Sequence, residues 1–237
     1  MANIPLRRRL YIYFIGGTFG LYFKLYHRLR VEGVEHLSTK GPLFIILNHV
    51  SALEVFALGS FLIRRGFLPG VDVWTVAKKE LYEKPLSAWF AKSVGMFPID
   101  RERGDMPAMR RMLGVLKAGN IIAIAPEGTR SPTGQLQAFQ PVISKIAITR
   151  RIPLLPVGAA GPEKALPVGA KFPRPVQITL RFGPIFELCE FYDVELTDEQ
   201  VDRASWVMRD HVAALLPKWM RELPPANLPH RVGARKL

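Results

Sequence analysis

The sequence predicts a single α/β domain whose central sheet, largely parallel or mixed, is covered by helices and preceded by an amphipathic N-terminal helical segment. Three observations carry this. From residue 41 onward, short apolar runs alternate with stretches of helical periodicity, the pattern that lays helices over a mainly parallel sheet. The 237 residues, about half of them apolar and 22% charged, suffice for one domain with a sizeable core. Ahead of the alternation stands an isolated apolar run, Leu10 to Phe23. Low hydrophobicity and high charge do not occur together, which excludes a disordered chain. Cys189 is the sole cysteine, which excludes a disulfide scaffold and a cysteine-rich zinc site.

In chain order, Leu43–Leu47, Val71–Ala77, Met96–Ile99, Ile121–Ala125 and Leu154–Gly158 read as buried strands. Between and beside them Ala52–Ile63, Pro85–Val94, Met106–Lys117 and Val142–Thr149 read as helices. Met106, Met109, Leu113 and Leu116 recur on one helical face, a core stripe rather than a cofactor box. Residues 159–175, rich in Pro, Gly and Ala, read as a loop, and Val176–Phe182 as a late strand. Thr197–Leu216 reads as a helix, with Thr197 as N-cap and Gln200 at the capping-box position. The expected division is an N-terminal helical segment over 1–30, a domain over 31–220 and a basic, Pro-rich tail over 221–237.

The formal charge is +13, and two blocks hold the excess. Residues 1–31 carry Arg7, Arg8, Arg9, Lys24, Arg28 and Arg30 and no acid; residues 129–181 carry eight bases against Glu163 alone. Such surpluses meet nucleic acid, an anionic membrane or a phosphorylated ligand. Neither a zinc finger nor an RNA-recognition signature is present, so charge alone supports nucleic acid. The Leu10–Phe23 run is too short for a comfortable membrane span. Its flanking cations and tyrosines suit the headgroup layer, where basic stems snorkel. Two other readings are a core helix and a secretory signal peptide, and no small-x-small cleavage site follows the run.

Asn48-His49 follows the first buried strand, and Glu54 opens the next helix. Strand C-termini in α/β sheets open toward the usual ligand crevice, and histidine can take a proton from a hydroxyl. Five residues on an ideal helix are about 140° apart. His49 and Glu54 therefore meet only if His49 lies in the preceding turn and Glu54 points back. Gly95–Arg101 ends another strand with Asp100 and Arg101, and Pro126–Ser131 follows a further one. A Gly- and hydroxyl-bearing turn beside Arg130 can cradle a phosphate.

Taken in order, Asn48-His49 with Glu54, then Gly95–Arg101, Ala125–Ser131 and Pro153–Gly158 resemble the motifs of the glycerophospholipid acyltransferase family, especially its lysophosphatidic acid acyltransferases. The likeness covers roughly residues 31–160, and Ala77–Leu81 shares it. It implies acyl transfer from acyl-CoA or acyl carrier protein to the sn-2 hydroxyl of 1-acylglycerol-3-phosphate, forming phosphatidic acid. His49 would be the general base and Glu54 its orienting partner. Lys78, Arg101, Glu127, Gly128, Thr129 and Arg130 would form the phosphate-binding pocket. No metal and no cofactor beyond the thioester co-substrate is implied, and no nucleic acid. The partners would be the lysophospholipid, the thioester donor and a membrane lipid surface, with monotopic attachment on the cytoplasmic face. Direct transfer needs no enzyme nucleophile, in keeping with the missing Gly-x-Ser-x-Gly elbow.

Three departures stand out. Glu54 replaces the family's Asp, Ala125 its Phe, and Gln140-Pro141 its Lys and Gly. They bear on substrate identity more than on reaction class. Two alternatives remain open: another lysophospholipid or an amino-lipid as acceptor, and a membrane lipid-binding module that has lost catalysis.

Overall fold

Leu43–Leu47 (β2) is buried along its whole length. A strand apolar at every position needs cover on both faces, and it receives it. Phe44 and Ile46 join one core cluster, while Leu43, Ile45 and Leu47 join a second on the opposite side of the sheet. The computed structural model describes residues 5–38, 40–100 and 105–223. The remaining elements are α1 (Leu6–Leu25), β1 (Arg30–Glu32), α2 (Leu53–Arg64), β3 (Val73–Lys78), α3 (Pro85–Ser93), β4 (Met96–Ile99) and α4 (Met106–Lys117). They continue with β5 (Ile121–Ile124), α5 (Pro141–Arg150), β6 (Leu154–Ala160), α6 (Pro162–Ala165), β7 (Thr179–Phe182), α7 (Asp198–Ala213) and α8 (Lys218–Arg221).

Among the described residues seven strands form one mixed sheet in the order β1-β7-β6-β2-β5-β3-β4. Every neighbouring pair is parallel except β6 with β7. The α/β class expected from the alternation is therefore what forms. Because β2, β3, β4 and β5 run the same way, the segments leaving their C-termini emerge along one edge. That edge carries His49, Lys78, Asp100 and Glu127.

Several boundaries shift. The third strand begins at Val73 because Val71 and Asp72 belong to a turn, in which the Asp72 carboxylate accepts from the Leu68 N–H (2.8 Å). The stretch 159–175 is not wholly a loop: Gly161 (φ +102°) turns the chain, and Pro162 starts the short α6. The late strand starts at Thr179 rather than Val176. β1 and α8 were not foreseen. β1 is three residues long and exists through its pairing with β7, a partner about 150 positions away. Thr197 caps α7 by accepting from the Gln200 N–H (3.3 Å). The Gln200 side chain instead accepts from Arg203 (3.3 Å), so the reciprocal half of the box is spent elsewhere. The predicted tail lies outside the described residues beyond Leu223.

α1 is divided by burial rather than by polarity. Ile12, Gly16, Gly20 and Phe23 are buried, with Gly16 against Ile63 and Gly20 against Arg64 of α2. An added Cβ at either position would overlap those side chains, so the two glycines set the close approach of the helices. The outward stripe through Leu10, Phe14, Leu21 and Leu25 is also apolar, with cations gathered at the helix ends. No helix among the described residues is long and apolar enough to cross a membrane.

Candidate active site

β2 delivers His49, and three separate segments fix it. Just before it, the buried Asn48 amide bridges to β6, donating to the Ala159 carbonyl (2.9 Å) and accepting from its N–H (2.7 Å). The His49 N–H donates to Glu127 Oε1 (2.6 Å), and the His49 carbonyl accepts from the Ser131 N–H (2.7 Å). Its peptide groups are thus clamped by the Pro126–Ser131 turn. The imidazole is fixed by the third segment, since Nδ1 lies 2.6 Å from Glu54 Oε1.

This contact meets the condition the spacing imposed. His49 lies in the turn, α2 begins at Leu53, and Glu54 occupies its first turn, where the helix N-terminus favours a carboxylate. The longer Glu in place of the family's Asp therefore reaches the ring. Glu54 is fully buried, and its Oε2 makes no hydrogen bond among the described residues. Holding a carboxylate there is costly without a partner, and His49 supplies it on one oxygen. With Nδ1–H committed to Glu54, Nε2 is left to accept a proton.

His49, its side chain 15% exposed, lies on the wall of an apolar cavity of about 130 Å³ between the sheet and helices α1, α2 and α3. Ile15 and Phe19 of α1, Phe56 and Gly59 of α2, Phe90 of α3 and Val73 of β3 are among its walls. Ala125, small where the family pattern has Phe, also faces this space. Such an apolar space suits an alkyl chain beside the imidazole.

Glu127, which the resemblance implies for the phosphate-binding pocket, is engaged within the fold. Its carboxylate is buried and turned inward, Oε1 on the His49 N–H and Oε2 on the Gln137 backbone N–H (3.1 Å) and side-chain amide (3.0 Å). A buried acid so engaged braces the His49 backbone. Burial pushes its pKa up to about 8, against the pull of those three N–H donors, and nearby Glu54 adds to the rise. An acid raised in the fold contributes stability that is full below its ordinary value of 4.5 and lost as the pH climbs to about 8. Unfolding in urea across that range should show the wild type losing a few kcal/mol relative to Glu127→Gln as pH rises. Parallel curves for the two proteins would contradict it.

Of the other residues named from the sequence, Gly128 (φ +76°) makes the turn, and its N–H donates to the Ala125 carbonyl (3.2 Å). The Thr129 carbonyl accepts from Gln137 (3.0 Å), and Arg130 is exposed beside it. Lys78 is exposed at the end of β3, two strands from β2; its neighbour Lys79 pairs with Asp100 (2.8 Å). Arg101 lies outside the described residues. Gln140 stands at the rim, its Cγ 3.3 Å from where a Gly128 Cβ would sit. The neutral amide that replaces the family's cation therefore borders the turn.

Sequence reasoning missed Gln137 and the support behind it. Leu136 is held on both sides, its N–H by the Met220 carbonyl (2.8 Å) and its carbonyl by the buried Arg209 (3.1 Å). That fixes Gln137, which fixes Glu127. No periodicity or motif marks these residues, because the chain joins them from positions more than seventy residues apart.

Comparison with known proteins follows the same residues. The Acyltransferase family profile matches residues 28–160, the span that holds His49, Glu54 and the Pro126–Ser131 turn. The chain belongs to the acyltransferase family. Among curated relatives, the chloroplastic 1-acyl-sn-glycerol-3-phosphate acyltransferase LPAT1 of Arabidopsis thaliana is 25% identical over 170 residues, 70% of this chain and 46% of that one. The enzyme of that name from Limnanthes alba is 29% identical over 93% of this chain and 71% of its own. The Pseudomonas aeruginosa enzyme is 30% identical over 66% and 58%. This acyltransferase-family chain spans about half the length of the chloroplast relatives it matches. Its fold is shared with the 1-acyl-sn-glycerophosphate acyltransferase of Thermotoga maritima, with a TM-score of 0.69 at 22% identity over 91% of this chain and 83% of the other.

Proposed function

We propose that this protein transfers a fatty acyl group from acyl-CoA or acyl carrier protein to the sn-2 hydroxyl of 1-acylglycerol-3-phosphate, giving phosphatidic acid. The observation that carries this reading is the His49–Glu54 pair, closed at 2.6 Å on the wall of an apolar chamber. His49 Nε2 takes the hydroxyl proton as the oxygen attacks the thioester carbonyl. The tetrahedral intermediate collapses, the C–S bond breaks, and the thiolate leaves with the proton that His49 returns. Glu54 holds the tautomer and balances the imidazolium charge between the two transfers. A thioester is already activated, so placing two substrates beside one base suffices. Neither a metal nor a redox cofactor has a part in these steps.

The acceptor assignment draws on the names of the relatives and on the cations at the sheet edge, with Arg130 and Lys78 as the phosphate ligands and Arg101 joining them as the resemblance implies. In an assay with purified acceptors, removing the phosphomonoester should lower kcat/KM by about a hundredfold, the scale of one or two charge-assisted hydrogen bonds. Equal rates would move the assignment to the second reading, another lysophospholipid or an amino-lipid. That reading is favoured by the neutral Gln140 at the rim of the Gly128 turn. A chain inert toward every acceptor would support the lapsed lipid-binding module. The acceptor is drawn from a bilayer, to which the protein attaches from one side, on the cytoplasmic face, through the apolar and basic α1.

The chamber holds the acyl chain in this reading, and Gly59 gauges its length. A Cβ added at Gly59 meets nothing within 4 Å, so a larger side chain projects into open cavity space. Gly59→Leu should therefore retain transfer of short acyl groups and lose long ones, read as the ratio of kcat/KM across a donor series. An unchanged ratio would place the chain elsewhere.

A further inference from the structure

Three exposed apolar features fall outside the chemistry above. Leu86 (78% exposed) and Trp89 (56%) lie on the outer face of α3, Phe172 (81%) tops the loop before β7, and the outward stripe of α1 lies bare. The structure ties all three together. At one end of α1, the Tyr11 ring lies 5.4 Å from the Trp89 ring and its hydroxyl is 3.2 Å from Ser93 Oγ. At the other end, the Tyr26 hydroxyl donates to the Pro173 carbonyl (2.9 Å), and Arg28 donates to that of Pro175 (3.1 Å). Twenty residues of helix span about 30 Å, so α1 is pinned along its length across the body of the domain.

We propose that α3 is a second bilayer-inserting element, and that it forms with the outward face of α1 and the Phe172 loop one docking face for an anionic lipid surface. The choice of partner rests on the lipid-acceptor reading; the geometry of the face does not. Charge complementarity selects the occupant. Neither α1, nor α3, nor the stretch 164–186 contains an acid. Arg7, Arg9, Lys24, Lys92, Lys171 and Arg174 flank the apolar side chains on those segments, and all are exposed. Apolar side chains reaching the acyl region, ringed by cations at headgroup level, is the arrangement that interfacial helices use. Trp89 fits it further, because an indole favours the boundary between apolar and wet.

The face also adjoins the chamber. α1 supplies Ile15 and Phe19 to its walls, and α3 supplies Phe90, with Val94 just past its end. Docking by these two helices would set the hydrocarbon of the bilayer against the space assigned to the acyl chain. α1 then lies flat in the interface, and the protein makes contact at its two ends instead of hanging from one helix.

The test measures binding alone, with the full chain and no substrate, so an inactive protein would leave its outcome intact. Vesicles of equal parts phosphatidylglycerol and phosphatidylcholine are mixed with the wild type and with a Leu86→Glu, Trp89→Glu double variant whose melting curve matches it. Partitioning of the variant should fall about tenfold or more, the scale of losing two buried apolar side chains. A second measurement avoids introduced charge. Cys189, which is exposed, is removed as Cys189→Ser, and Leu86→Cys carries an environment-sensitive fluorophore. Its emission should shift to the blue on adding the same vesicles. Unchanged partitioning, or a probe that stays in water on vesicles that bind the protein, would overturn the proposal. So would a lipid-free dimer that the double variant dissociates, since the face would then serve a second copy of the chain.

Discussion

His49→Ala is expected to lower kcat for acyl transfer by about a hundred- to ten-thousand-fold, the range a positioned general base contributes, while the protein stays folded. The expectation of a retained fold has a structural basis. What the surrounding segments grip is the His49 backbone, its N–H on Glu127 and its carbonyl on Ser131, and alanine keeps both groups. The side chain contributes one hydrogen bond, between Nδ1 and Glu54, which becomes unpartnered in the variant. Initial rates with saturating donor and acceptor, beside a circular-dichroism melt, give both readings. A folded variant with near-wild-type turnover would remove the general-base role.

Glu54 carries the second large effect, and the size and charge of its replacement separate its functions. Glu54→Gln keeps the volume and removes the charge. Its amide can donate to Nδ1, which forces the ring proton onto Nε2, the nitrogen that must accept one. A loss of about a thousandfold or more in kcat is expected, as for other orienting carboxylates. Stability should hold or rise, because Oε2 is a buried oxygen with no hydrogen bond among the described residues and an ionised group there costs desolvation. Glu54→Asp keeps the charge and draws the carboxylate back by about 1.5 Å, too far for a hydrogen bond that now closes at 2.6 Å. Activity should fall in that variant too, although Asp is the residue of the family pattern. Full activity in Glu54→Asp would mean that α2 can slide to restore the contact. A Glu54→Gln variant that lost stability and activity together would assign the residue to folding.

How far the sequence foretold this site differs from residue to residue. The spacing of His49 and Glu54 posed a condition that only a turn followed by a helix start could satisfy, and the observed boundary at Leu53 satisfies it. For Glu127 the motif marked the position and the resemblance implied the phosphate pocket, while nothing in the sequence showed which way the side chain turns. The side chain turns inward because Gln137 offers two N–H donors and the His49 peptide a third. Gln137 is there because Leu136 is held by Arg209 and Met220 from the C-terminal helices. Nothing local encodes that chain of support. The core-helix reading of α1 describes one of its faces, since Gly16 and Gly20 pack on α2, while Leu10, Phe14 and Leu21 stay exposed on the other.

By itself the sequence determined the alternation of strand and helix, the buried central strands, the Thr197 cap and the residue types that could do proton transfer near an anion. These depend on periodicity and on neighbours a few positions apart, which one chain displays directly. Only the tertiary structure decided that β1 forms, that the Glu127 carboxylate turns onto the His49 peptide, that the apolar chamber has His49 on its wall, and that Trp89 of α3 lies against Tyr11 of α1. Each of these depends on groups brought together from distant positions, where hydrogen bonding and close packing act only after the chain has closed on itself.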